Sequence, residues 1–286
     1  MEENAVFEQK KELERLNMQD ELFRPYEQPV YERVLDRPGL LVLDIGSNDG
    51  TKTAHRLSHK NVKTVIGLDH NRGLVDAAGK KNGGGCGGTR FVFCACDVER
   101  MDFEAQLRAC MEAENVLAFD VIHLSFILMH MKSPEKLLAR LKHVLAPDGK
   151  LLIVDVDDDL SSLTPDRYGL FGEFRQMLAR DPFAGDRTCG GRLGAILNRV
   201  GYSRIVRERD ALRADRTEFR KKEQMFEVFC SYLAEDAAAL RERDPANEEY
   251  VRWETWLGQN YERLHSAVTA EDTEFSIGIP VITAAI

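Results

Sequence analysis

The sequence predicts an α/β protein with a mostly parallel sheet flanked by helices, an antiparallel last strand and helical additions. Three observations predict it. Apolar runs of strand length alternate with helical periods between residues 40 and 158. The first run ends in an acid and a glycine-punctuated turn, Leu41-Val42-Leu43-Asp44-Ile45-Gly46-Ser47-Asn48-Asp49-Gly50, and Thr51–Leu57 can open a helix directly after it. The next run, Val62–Asp69, also ends in an acid, 19 residues beyond Gly50. Strand, tight loop, helix and strand in this order form the first unit of a parallel sheet that binds ligands at the carboxyl ends of its strands.

The 286 residues, 43% hydrophobic and 30% charged, suffice for one elaborated domain. Its expected parts are an N-terminal helical cap over 1–38, a core over 39–210, a helical insertion over 211–268 and a closing strand over 269–286. A formal charge of -9 disfavours nucleic acid as a partner, because a nonspecific grip on phosphates needs a basic surface. No run of eighteen apolar residues points to a membrane, and the start, Met1-Glu2-Glu3-Asn4, lacks the flanks of a secretory signal. The expected setting is soluble and cytoplasmic. Six cysteines without Cys-x-x-Cys spacing read as free thiols rather than a metal or disulfide framework.

In the cap, residues 3 to 18 carry Val6, Phe7, Leu13 and Leu16 at near-helical spacing, and a second helix is expected from Pro29 to Leu35. Between them, Phe23-Arg24-Pro25-Tyr26-Glu27-Gln28-Pro29 is expected to take an extended or turning path, because two prolines oppose helix there. Such a segment can close over a ligand, with Arg24 and Tyr26 offering a charge and a hydroxyl.

Within the first loop, glycine suits positions that need positive φ or close backbone approach to a ligand. Asn48 is among the non-glycine residues that best tolerate a left-handed position there. Asp69 matches, in chemistry and spacing, a carboxylate that accepts hydrogen bonds from ribose hydroxyls. The same geometry serves NAD. Gly83-Gly84-Gly85-Cys86-Gly87-Gly88 is no phosphate loop, since it follows a helix, precedes the strand Phe91–Cys94 and lacks a Lys-Ser/Thr ending. It reads as a mobile connection.

The loop resembles the Asp-x-Gly-x-Gly-x-Gly motif of class I S-adenosylmethionine-dependent methyltransferases, with Asp44, Gly46 and Gly50 in register and Asn48 at the usual middle glycine. The resemblance implies a Rossmann-like fold and S-adenosylmethionine bound by Asp44, Gly46, Ser47, Asn48, Gly50 and Asp69. Cys96-Asp97-Val98-Glu99 is similar to the family's third motif, which implies that Asp97 meets the adenine amino group and the Val98 amide meets the ring. An N-cap to a helix near Met101 is the structural alternative for Asp97. Phe119–Phe126 and the run to His130 resemble the fourth motif, placing Ser125 and Phe126 at the ligand end of the strand. Ser133–Val144, the Ala146-Pro147-Asp148-Gly149 turn and Lys150–Val154 follow the same order.

The acceptor implied is a small molecule, with RNA or protein methylation, an NAD-dependent oxidoreductase, and a noncatalytic cofactor-binding interaction protein as alternatives. His130 and Tyr26 are the candidate catalytic residues, either one able to take a proton from the acceptor. His123 reads as internal. Asp155, Asp157, Asp158 and Asp159 are expected to form a solvated loop or to contact a cationic substrate rather than hold a metal, because one loop alone does not converge ligands on a cation. In the insertion, Phe226, Phe229, Tyr232, Leu233, Tyr250, Trp253, Trp256, Leu257 and Tyr261 lie at helical spacing, suited to a core, an acceptor wall or homodimer packing.

Overall fold

The computed structural model describes residues 10–286, with side chains from Glu14 onward. In chain order the elements are α1 (Lys10–Val34), β1 (Leu40–Ile45), α2 (Thr51–Leu57), β2 (Val62–Asp69), α3 (Arg72–Asn82), β3 (Arg90–Ala95), α4 (Phe103–Ala113), β4 (Phe119–Ser125), α5 (Pro134–Leu141) and β5 (Leu145–Val154). There follow β6 (Ser162–Thr164), α6 (Leu170–Leu178), α7 (Cys189–Val200), β7 (Ser203–Ala214), α8 (Phe219–Cys230), α9 (Tyr232–Arg243), α10 (Glu248–Thr269) and β8 (Glu274–Ala285). One eight-stranded sheet runs in the order β3-β2-β1-β4-β5-β8-β6, with β7 on the other side of β8. The first five strands are parallel, and every pairing of β8 is antiparallel.

The apolar runs become central strands because helices cover both faces of a parallel sheet. Val42, Leu43, Val65, Ile66, Ile122, Leu124, Leu151 and Ile153 are all buried. In β1 and β4, Asp44 stands beside His123 and Ile45 beside Leu124, which brings the carboxyl ends of both strands to one edge.

The N-terminal cap differs from expectation. Its predicted break is absent, and α1 continues through Pro25 and Pro29. Val6 and Phe7 lie outside the described residues. Each interior proline costs a helix about 3 kcal/mol. Both prolines are exposed, as is Glu21, and the carbonyls of Glu21 and Pro25, which lose their helical donors, lie on the solvent side. On the opposite face Leu22, Phe23, Val30, Val34 and Leu35 are buried. At about 1.5–3 kcal/mol per buried side chain, that face outweighs both prolines.

Two further boundaries move. The core is expected to end at 210, but β7 runs to Ala214, so the helical addition starts beyond Asp215. The strand is an edge strand rich in charge, including Arg207, Glu208, Arg209 and Asp210, and edges carry charge to block pairing with other chains. That composition hides it from a hydrophobic reading. The glycine run closes as a tight turn, with Cys86 bridged to Thr89 and Ser58 Oγ donating to the Cys86 carbonyl at 2.9 Å.

The added helices belong to the core. Met225, Phe226, Phe229, Leu257 and Leu264 are buried, and α8 packs against α1. Lys222 is fully buried on α8, its ammonium donating to the carbonyls of Ala270 and Thr273 where α10 turns into β8. A cation at the end of a helix complements the helix dipole as well as the bare carbonyls.

Candidate active site

The loop after β1 has the backbone its sequence requires. Gly46 and Gly50 take φ of +79° and +74°, and Asn48 takes +49°, the left-handed region. Asn48 Oδ1 accepts the Asp49 amide at 2.7 Å, the local bond that makes asparagine tolerable there. Asp49 accepts the Thr51 amide at 3.0 Å and the Thr51 hydroxyl at 2.7 Å, which fixes the start of α2. Gly46 has a second constraint: a Cβ placed on it would lie 2.0 Å from Ile127 Cδ1. Any side chain there would expel Ile127 or distort the loop.

Asp44 lies beneath the loop rather than on its surface. It is buried, and its carboxylate accepts from Thr53 Oγ1 at 2.5 Å and from His123 Nδ1 at 2.6 Å. With the proton on Nδ1, Nε2 accepts from the Tyr31 hydroxyl at 2.5 Å. The buried chain Thr53–Asp44–His123–Tyr31 therefore ties α2, β1, β4 and α1 together. His123 is internal, as its sequence context indicated. Burial, and then the Glu27 charge, raise the Tyr31 phenol well above its ordinary pKa, so it stays a neutral donor.

Asp69, at the end of β2, accepts the amides of Asn48 and Asn71, each at 2.9 Å. Its carboxylate thus sets the height of the loop and keeps lone pairs for a further donor. Asp97 is half-buried just beyond β3, where its Oδ1 accepts the Glu99 amide at 2.9 Å. It does not cap α4, whose N-cap is Asp102. The Val98 carbonyl accepts from Arg140 at 2.9 Å, which holds the post-β3 turn.

Beyond β4, Ser125 Oγ accepts the Lys52 ammonium at 2.7 Å. Phe126 adopts φ of +56°, an uncommon conformation for a bulky residue, and its ring lies 5.5 Å from that of Phe23 and 4.8 Å from the Lys52 ammonium. Phe23 also stacks on Phe229 at 5.5 Å, so α1 and α8 roof the end of β4.

His130 ends the helical turn Leu128–His130. Asp155, fully buried at the end of β5, holds that turn by accepting the amides of Leu128 at 3.0 Å and Met129 at 3.3 Å. Burial raises the Asp155 carboxyl to about 7 against the pull of these amides. Desolvation by the surrounding chain, and then the Arg187 charge, push His130 down to about 4, although the residue as a whole is exposed. His130 is therefore neutral near pH 7, a weak base and a good acceptor of a hydrogen bond.

Tyr26 stands apart. Its hydroxyl donates to the Ile279 carbonyl in β8 at 2.8 Å, and burial together with Asp210 raises its pKa well above the ordinary phenol value. A phenol so engaged is a poor base, which corrects its candidacy as a catalytic residue. Arg24 pairs with Asp20 on α1.

The aspartates after β5 are not the solvated loop expected, because Asp155, Asp157 and Asp158 are buried, and they do not converge. Asp157 pairs with Arg207 at 3.0 Å and Asp158 takes both arms of Arg187 at 2.9 and 3.0 Å, while Asp159 is exposed. Among the described residues no group of histidine, cysteine and acidic side chains has the arrangement of a metal site. A cleft of about 400 Å³ lined by Met18, Phe226, Glu227, Tyr261 and His265 lies between α1, α8 and α10. None of the loop residues lines it, so the loop, not that cleft, marks the site.

The residues fit a nucleoside-bearing cofactor on two observations. Two acids, Asp69 and Asp97, stand at the carboxyl ends of adjacent strands with acceptor capacity to spare. The Ser47 hydroxyl is buried in the loop with no partner, a polar atom that a ligand can satisfy. Comparison with known families decides the class: residues 18–208 match the model of a methyltransferase domain. The chain belongs to that methyltransferase family. Solved structures agree in fold. The [4+2]-cyclase SpnF superposes with a TM-score of 0.51 at 18% identity, covering 91% of this chain and 80% of its own. YcgJ from Bacillus subtilis gives 0.50 at 17% identity, covering 90% and 96%. Phosphoethanolamine N-methyltransferase 2 from Haemonchus contortus, solved with S-adenosyl-L-methionine, gives 0.52 at 13% identity, covering 100% of this chain and 60% of that one. No curated protein matches the chain by sequence. The methyltransferase match ends inside β7, so α8, α9, α10 and β8 lie beyond it.

Sequence reasoning missed Lys52, Glu27, Phe23 and the Tyr31–His123 contact. Lys52 and Glu27 carried no visible pattern, since one lies two residues past a glycine and the other between two prolines. Only the pairing of β1 with β4 and the unbroken α1 bring them to the loop.

Proposed function

We propose that this methyltransferase takes its methyl group from S-adenosylmethionine and delivers it to a small-molecule acceptor. The observation that carries the acceptor class is the roof over β4: Phe23 is sandwiched between Phe126 and Phe229, with no side-chain exposure of its own. An acceptor reaching the end of β4 must fit beneath α1 and α8, which suits a small molecule better than a folded polymer. The charge of -9 argues in the same direction against RNA.

When bound, the donor supplies an activated methyl group on a sulfonium sulfur. Asp69 would hold the ribose hydroxyls, Asp97 and the Val98 backbone the base, and Gly46, Ser47, Asn48 and Gly50 the turn of the chain between them. Asp44 acts from below, holding the loop through Thr53 and His123. The roof excludes water, so that alignment rather than acid strength supplies most of the acceleration. His130, neutral and held by the turn that Asp155 ties down, orients a hydroxyl acceptor by accepting its hydrogen bond and takes the proton as methyl transfer makes that oxygen acidic.

The test is to supply isotopically labelled donor to the protein with a cell extract separated into small-molecule, RNA and protein fractions. Label in the small-molecule fraction is the expected result. Label confined to RNA or protein would overturn the acceptor class.

A further inference from the structure

Two charges near the loop lack the partners that burial demands. Glu27, on α1, has 0% exposure. Its Oε2 accepts from Arg56 at 2.7 Å, but its Oε1 is buried with no hydrogen-bond partner. Lys52, on α2, donates once, to Ser125 Oγ, and lies over the Phe126 ring. Among the described residues no carboxylate oxygen lies within 4.0 Å of its ammonium. Burial lowers the Lys52 pKa, and Glu27 is the carboxylate that most opposes the shift. The two groups thus feel each other without touching. A buried carboxylate oxygen and a sheltered ammonium left uncompensated each cost free energy. A ligand that presents the opposite charge to each removes both costs.

We propose that Lys52 and Glu27 form a receptor for an α-amino acid zwitterion, Lys52 binding its carboxylate and Glu27 its ammonium. The inference rests on the donor reading above, because the methionyl end of S-adenosylmethionine is such a zwitterion. It assigns that end to side chains of α1 and α2, neither of them part of the glycine loop. The Lys52 bond to Ser125 then couples the occupied receptor to the end of β4, where the acceptor meets the methyl group. Charge-assisted bonds of this kind are strong where water is excluded.

Calorimetric titration of the wild type and Lys52→Met separates this assignment from the donor reading itself. The ligands are S-adenosylhomocysteine, 5′-methylthioadenosine, which lacks the amino acid end, and decarboxylated S-adenosylmethionine, which lacks only the carboxylate. Lys52→Met is expected to weaken S-adenosylhomocysteine by about tenfold or more, and to change methylthioadenosine and the decarboxylated ligand by less than about threefold. Glu27→Gln is expected to weaken the decarboxylated ligand, which keeps the ammonium, while sparing methylthioadenosine. Methylthioadenosine also reports folding, because both variants must still bind it. Equal losses on all three ligands with Lys52→Met would overturn the assignment, as would unchanged affinity for S-adenosylhomocysteine. A wild type that binds none of the three would overturn the donor reading and the receptor with it.

Discussion

His123 Nδ1 lies 2.6 Å from Asp44 Oδ1, both side chains being buried, so the acid that opens the loop motif is spent inside the protein. Its role is to fix the loop from below. Asp44→Asn keeps the size but puts a neutral amide against His123 and Thr53. Breaking a buried pair in this way is expected to cost about 3–5 kcal/mol of stability. Urea denaturation measures it, and a loss under about 1 kcal/mol would show that the pair does not hold the loop.

The hydroxyl of Tyr31 ends the same chain. Tyr31→Phe removes one donor and leaves His123 Nε2 without its partner, at an expected cost of about 1–3 kcal/mol. Donor affinity should stay within about threefold, since Tyr31 reaches the loop only through His123 and Asp44. A large loss of affinity without loss of stability would place Tyr31 in the site itself.

A pH dependence follows from Asp155. Burial raises its folded-state pKa to about 7, above the ordinary carboxylate value of 3.8. Between these values the folded protein keeps a proton that the unfolded chain releases. The contribution is full below about pH 4, is lost progressively as pH rises through about 7, and is flat above it. Denaturant titrations from pH 5 to 7 should show the wild type losing about 1–2 kcal/mol more than Asp155→Asn over that interval. Parallel curves would mean that Asp155 is ionised throughout. The variant should be less stable at every pH, because its amide cannot accept from both the Leu128 and Val156 sides.

His130 has the opposite displacement. With a pKa near 4 it stays neutral across pH 6 to 8, so the rate of methyl transfer should show no break there that His130→Gln removes. For an acceptor that must lose a proton, the substitution should lower kcat by about 10²-fold and leave donor affinity unchanged. An unaltered kcat would remove His130 from the reaction.

The loop, the succession of the first five strands along the chain and the helix after the fourth strand were legible because each rests on local chemistry: glycine at positive φ, an acid ending a strand, an apolar run of the right length. Asn48 shows this, since its side chain alone suggested the left-handed turn that it makes. The continuous α1 was not legible, because Pro25 and Pro29 argue for a break until the burial of Phe23 and Val30 is known. Nor was the partnership of Lys52 with Ser125, 73 residues apart, which arises only when α2 and β4 meet at one edge. The helices after β7 read in sequence as an insertion, suited to a core, an acceptor wall or homodimer packing. Phe226, Phe229 and Trp253 proved to be core, with Phe229 against Phe23 and Lys222 locking α10 to β8.

The most direct measurement is a calorimetric titration of S-adenosylmethionine, S-adenosylhomocysteine and NAD into the wild type and Asp69→Ala. Both adenosyl ligands should bind the wild type and NAD should not. Asp69→Ala should weaken both by at least about 1 kcal/mol, because ribose hydroxyls lose a charged acceptor. Absence of adenosyl binding, preference for NAD, or unchanged affinity in a folded Asp69→Ala protein would contradict the assignment of the loop between β1 and β2 as the donor site.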